Sequence, residues 1–286
     1  MRALGIDVGV RKGLDLVLLD ESRTPVECRR RVEPRELGSL LGEWRPDVVG
    51  IDAPPQWGIH AGASRFTERE LRRFGIQSFG TPSDPRKAEN AFYEWMTVGF
   101  AAFEAAARSG FRRYASGRAK GTAMEVFPHA SAVVLTGCLP APTVSKRDFR
   151  VGTLRSQGVN LDGIRSLDQL DATLAALTGL LTLDGHLFAP GDPREGVIVL
   201  PARSLPPPPY RRCAATVASD GGRQRHLPGM SPCACGDPGC HEMTSSEFSR
   251  GHDAKRKAML WAKARVGEEA VTELRRRRWE LPPEMR

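Results

Sequence analysis

The spacing of apolar and polar residues changes several times along the chain. Residues 2–9 (RALGIDVG) and 14–20 (LDLVLLD) are short apolar runs, with Arg11, Lys12 and Gly13 as a turn between them. Runs of this length bounded by turn residues predict strands. Residues 25–33 (PVECRRRVE) alternate in part and predict a third. Three strands joined only by turns imply an antiparallel meander. Residues 34–44 (PRELGSLLGEW) change to helical spacing, with Pro34 suited to a first turn. Residues 47–54 (DVVGIDAP) are apolar enough for a buried parallel strand.

A polar, helix-rich stretch follows. Residues 64–75 (SRFTERELRRFG) read as a basic helix closed by Gly75, and residues 86–109 as another. Residues 122–135 read as a strand broken at Pro128, then a short helix; residues 145–158 read as helical. Residues 166–185 give the clearest helix, opened by a capping box of Ser166 and Gln169 and closed by Gly185. Residues 195–201 (EGVIVLP) predict a last strand. The fold class expected is therefore α/β: a mixed sheet, antiparallel meander plus parallel strands, flanked by helices. Residues 1–204 form this domain, 205–230 a linker opened by the stiff LPPPPY, and 231–286 a small Cys/His module with a basic helical tail.

Composition narrows the function classes. No apolar run approaches the roughly 18 residues a membrane span needs. The first twenty residues meet charge too early for a secretory signal, so the cytoplasm is expected. The formal net charge is +8, and Arg supplies 35 of the 42 basic residues. Arginine suits bidentate phosphate contacts, and a basic balance permits a nucleic-acid partner, although biased codon usage alone also enriches arginine.

The chemistry resides in acids. Gly5 and Asp7 share one face of the first strand, and Gly50 and Asp52 one face of the fourth. Each glycine lies beneath its aspartate and leaves room for a helix to pack closely. If the strands are neighbours, the two carboxylates meet, and a divalent cation would remove their repulsion. Asp168 and Asp171, at i and i+3 of the clearest helix, can supply the remaining ligands, with Ala172 and Ala175 beside them. A first-turn acid such as Asp168 also simply suits the helix dipole. Glu125, in AMEVFPH, is a fifth candidate.

This order of elements and acids looks like the ribonuclease-H-like fold. GIDVG at the start and the helix DQLDATLAAL resemble Holliday-junction resolvases of the RuvC type. The series GIDVG, GIDAPPQWG, SRFTERELRRFG, MEVFPHAS, SKRDFRVGTLR, LDQLDATLAALTG and EGVIVLP more closely resembles domain-of-unknown-function family 429, described as predicted RNase H-like nucleases. The resemblance implies Asp7, Asp52 and Asp171 as metal ligands, with Asp168 a possible fourth, and gives Glu125 no assigned role. Two Mg²⁺ or Mn²⁺ ions on such carboxylates hydrolyse phosphodiesters. The function expected is thus a metal-dependent nuclease acting on DNA or RNA. The alternative is a non-catalytic nucleic-acid-binding or scaffold protein that retains the fold. A phosphotransferase of the sugar-kinase type would need a duplicated domain and a glycine-rich nucleotide motif, neither of which the sequence carries. Arg65, Arg69, Arg72 and Lys146 are candidates for phosphate contact, each weighed against a solvated helix face.

Six cysteines are present, and three of them lie close together in PCACGDPGCHE. Clustering of that kind reads as metal before disulfide. Cys233, Cys235 and Cys240 with His252 would close a tetrahedral Zn²⁺ site, with His241 as the substitute fourth ligand. Free thiols are the other reading of the same residues.

Overall fold

The computed structural model describes residues 1–213. The Cys233, Cys235, Cys240, His241 and His252 cluster and the basic tail lie outside the described residues. The chain opens with β1 (Arg2–Gly9), β2 (Gly13–Asp20) and β3 (Pro25–Val32), followed by α1 (Leu37–Trp44) and β4 (Val48–Asp52). Next come α2 (Phe66–Arg73), a 3-10 turn (Pro85–Glu89), α3 (Glu94–Arg108), β5 (Arg112–Arg113) and β6 (Thr122–Val126). The remainder is α4 (Pro128–Thr136), α5 (Lys146–Ser156), α6 (Leu167–Leu183), β7 (Gly191–Asp192) and β8 (Gly196–Val199).

The strands build one mixed sheet in the order β3-β2-β1-β4-β6-β8-β7, with β5 beside β6. β1, β2 and β3 pair antiparallel, whereas β4 joins β1, β6 joins β4 and β8 joins β6 in parallel. That is the mixed α/β sheet flanked by helices that the residue pattern predicts. Both faces are covered. Ala3, Val17, Val48 and Met124 pack towards α4, α5 and α6, while Leu4, Ile6, Leu16 and Ile51 pack towards α1 and α3. Two buried faces explain why β1 and β4 read as nearly continuous apolar runs.

α6 lies on β1 and β4 at unusually short range. A Cβ on Gly5 would sit 1.9 Å from the carbonyl oxygen of Ala172, and one on Gly50 2.7 Å from that of Ala175. The helix backbone therefore rests on two strand positions that have no side chain. Its small residues Ala172, Ala175 and Ala176, all fully buried, complete the contact.

Two stretches depart from the expected elements. Residues 86–109 are a short 3-10 turn and a helix that starts only at Glu94. Between them the Asn90 side chain accepts the Phe92 N–H and competes with helical bonding. Residues 205–213, placed in a linker by their prolines, pack on the first compact unit, which runs from Met1 to Ala214. The buried Tyr210 donates its N–H to the Phe74 carbonyl at 2.9 Å, and Cys213 is disulfide-bonded to Cys138.

Candidate metal centre

Register alone brings the first two acids together. In the parallel pair of β1 and β4, Gly5 is opposite Gly50 and Asp7 opposite Asp52. The close seat of α6 on those glycines then delivers Asp171 to the same place. Carboxylate oxygens of Asp7, Asp52 and Asp171 all lie within 4.8 Å of one another. Three acids from two strands and a helix thus converge at the carboxyl ends of the central strands.

Their partners differ. Asp171 is buried and accepts from Arg150 Nε at 2.6 Å and from Lys146 Nζ at 2.9 Å. Lys146 and Arg150 are four residues apart on α5, so one helix face presents both. The guanidinium of Arg150 also meets His129 Nδ1 at 3.2 Å. His129 is pushed down to about 4 by burial and then by Arg150 and Lys146. It is therefore neutral near pH 7 and accepts that bond. Among the described residues, no cation forms a salt bridge with Asp7 or Asp52.

The charges of those two acids are correspondingly costly. Burial, with Asp171, Asp168 and Asp15 adding to it, raises the Asp7 carboxyl to about 8. Burial followed by the fields of Asp7 and Asp171 holds Asp52 well above the ordinary carboxylate range. An arrangement of this kind either keeps protons or receives a cation. Hard oxygen ligands that converge with no salt bridge to two of three members, among the described residues, fit Mg²⁺ or Mn²⁺.

The other expected residues are placed elsewhere. Asp168 is partly exposed at the start of α6 and pairs with Lys12 at 3.1 Å. Glu125 is buried on β6 and held by both terminal nitrogens of Arg65, at 2.6 and 2.7 Å. Arg65 is only 1% exposed and also grips Glu68, so the phosphate contact expected of it is corrected to a buried structural one. Burial raises Glu125 despite this guanidinium, and Glu68 further receives the Thr81 N–H and hydroxyl. Together with Glu195, which accepts the N–H groups of Ile59 and Phe66, these residues fasten the long excursion after β4 to the sheet. Arg69 donates to the Ser64 carbonyl and lies over the Phe66 ring, and Arg72 reaches the Ser64 hydroxyl. Both belong to α2, which packs on β7 and β8 rather than on β1. Lys146, by contrast, is at the triad.

Sequence reasoning missed Arg150, His129 and Asp15. Asp15 is buried directly opposite Asp7 on β2 and is held by Arg30 at 3.2 Å. The i, i+4 pair of basic residues at Lys146 and Arg150 was the one legible signal for the first of these.

The family model described as "Protein of unknown function (DUF429)" matches residues 5–195. The chain belongs to this family. The matched span of this DUF429 chain includes all three members of the acidic triad. No curated protein matches the sequence. Two solved structures of RuvC from Thermus thermophilus are similar to it, one of them in complex with a Holliday junction substrate. Each is 15% identical with a TM-score of 0.38, and the matches cover 65% of this chain and 97% and 96% of theirs.

Proposed function

We propose that this protein is a metal-dependent nuclease that hydrolyses phosphodiester bonds of DNA or RNA on an RNase H-like sheet. The observation that carries the reading is the convergence of Asp7, Asp52 and Asp171 within 4.8 Å, two of them in no salt bridge among the described residues. When bound, Mg²⁺ or Mn²⁺ ions would supply Lewis-acid activation of water and neutralise charge on the leaving oxygen. Asp7 and Asp52 hold hard ligand oxygens at the rim of the sheet, and Asp171 holds one from the helix. Arg150, fixed by its bond to His129, keeps the Asp171 carboxylate aimed at the other two. The Lys146 side chain, 57% exposed, can turn from Asp171 to a substrate phosphate. Asp168 lies close enough for its charge to be felt at Asp7, and its exposure leaves it free to exchange Lys12 for a cation.

A second reading has its own support. Asp171 already carries two protein cations, which lowers the need for a metal at that position. A protein that retains the fold only to bind nucleic acid would look like this. Mn²⁺ titration by calorimetry and a cleavage panel of labelled DNA and RNA separate the two. The nuclease reading expects Mn²⁺ binding and metal-dependent cleavage, both abolished by Asp7→Asn. Binding of nucleic acid with no cleavage and no Mn²⁺ heat would establish the non-catalytic reading instead.

A further inference from the structure

Beside the triad lies a cavity of about 420 Å³ that has Asp52 and Lys146 in its wall. Its size is that of a small-molecule site, and its composition differs from that of the acidic centre. Phe79, Phe92, Trp95 and Phe127 all contribute to its lining. Phe79 is 63% exposed and Phe92 52% exposed, which is unusual for large apolar side chains gathered in one place. Phe79 meets Phe92 edge to face, with centroids 5.6 Å apart, and meets Trp95 at 6.3 Å and 60°. Rings that touch by their edges leave flat faces available for another aromatic ring.

The deeper wall includes Arg65, Glu68 and Glu125, so the cavity is apolar at its mouth and polar within. A purely aliphatic ligand would press hydrocarbon against that ion network. An inorganic anion would find the aromatic walls no use. A flat heteroaromatic with polar edges matches both parts.

We infer that this cavity is a nucleobase subsite, which takes one unstacked base of a single-stranded or locally opened nucleic acid while the adjoining phosphate lies toward Asp52 and Lys146. The inference rests on the nuclease reading for the role of the neighbouring triad, and it deepens that reading by naming the substrate form. A base inside an intact duplex is stacked on both faces and cannot enter a cavity below the surface; it must first be turned out. Stacking on aromatic side chains tolerates any base, so the subsite selects for strand openness ahead of sequence.

The test is fluorescence anisotropy in Ca²⁺ with the full chain. The probes are a labelled 12-mer single strand, its duplex, and the same strand with every base replaced by an abasic analogue. Wild type is expected to bind the single strand about tenfold or more tightly than either other probe, the gain of one stacked base. Phe79→Ala, which alters a largely exposed side chain, should lose about that factor on the strand with bases and nothing on the abasic strand. Equal affinity for all three probes, a preference for duplex, or the same loss for Phe79→Ala with and without bases would overturn the subsite. Mn²⁺ calorimetry on wild type and Phe79→Ala keeps the two conclusions apart. Base-dependent binding without Mn²⁺ heat removes the nuclease and leaves the subsite. Mn²⁺-dependent cleavage without base dependence does the reverse.

Discussion

At the scale of single residues, the triad stores a conflict that pH and metal resolve in opposite directions. The Asp7 carboxyl is raised to about 8 from an ordinary value of 3.8, so the folded protein holds this proton more tightly than the unfolded chain. Its contribution to stability is therefore fully present below about pH 4 and is lost as pH rises towards 8. Asp7→Asn removes the ionisable group and should stabilise the metal-free protein at pH 8. At about 1.4 kcal/mol per unit of displaced titration we expect at least about 1 kcal/mol, or about 2–4 °C or more in Tm, and almost no change at pH 4. Thermal unfolding in EDTA at the two pH values measures it. The same proton competes with a cation. Mn²⁺ affinity should therefore rise between pH 6 and pH 8, and calorimetry at those values checks the direction. Asp7, Asp52 and Asp171 were legible in the sequence because each has a local signature at a strand end or on a helix. Arg150 and His129 were not, because their meaning is a contact with Asp171 made across long stretches of chain. Arg65 shows the converse error. Its local setting, a basic helix start, reads as surface, and only the distant Glu125 explains its burial.

At the scale of elements, the site depends on how closely α6 approaches the sheet. Gly5 and Gly50 are two positions beneath the aspartates in the same strands, and the helix backbone occupies the space their side chains would fill. Gly5→Ala forces a methyl group into the Ala172 carbonyl. Overpacking of that kind costs about 1–3 kcal/mol or more. The variant should lower the urea midpoint accordingly and weaken Mn²⁺ binding at the same time, since α6 carries Asp171. A loss of stability with unchanged metal affinity would show that the helix seat and the centre are independent. Most elements were readable from periodicity, and the capping box at Ser166 fixed the start of α6. The two-residue strands β5 and β7 are too short to show a period. The split of residues 86–109 was hidden because Asn90 breaks the helix through a side-chain bond that leaves the apolar spacing intact.

At the scale of the whole molecule, the described chain is a two-faced sheet whose final segment is fastened back to it. Cys138 follows α4 and Cys213 follows the proline run, and their bond spans 75 residues of sequence. Closing so long a loop restricts the unfolded chain, which by loop entropy is worth about 2–4 kcal/mol in practice. Cys138→Ser should reduce unfolding free energy by that amount in oxidising buffer and by little in the presence of dithiothreitol. Equal stability of the two proteins in both buffers would mean that the pairing contributes nothing. The long excursion between β4 and α3 is likewise held by distant partners, chiefly Arg65 with Glu125 and Glu195 with Ile59 and Phe66. It brings Ser78, Phe79 and Phe92 around to the cavity beside Asp52.

By itself the sequence determined the longer strands, the main helices, the mixed α/β class and which acids to watch, since all of these follow from spacing over a few residues. Tertiary structure alone decided that Arg65 is interior and that Arg150 and Lys146 clasp Asp171. It also decided that aromatics from one excursion wall a cavity next to the carboxylates. The physical reason is range: backbone preference and amphipathic period act locally, whereas charge compensation and cavity shape depend on side chains that only the folded chain brings within a few ångströms.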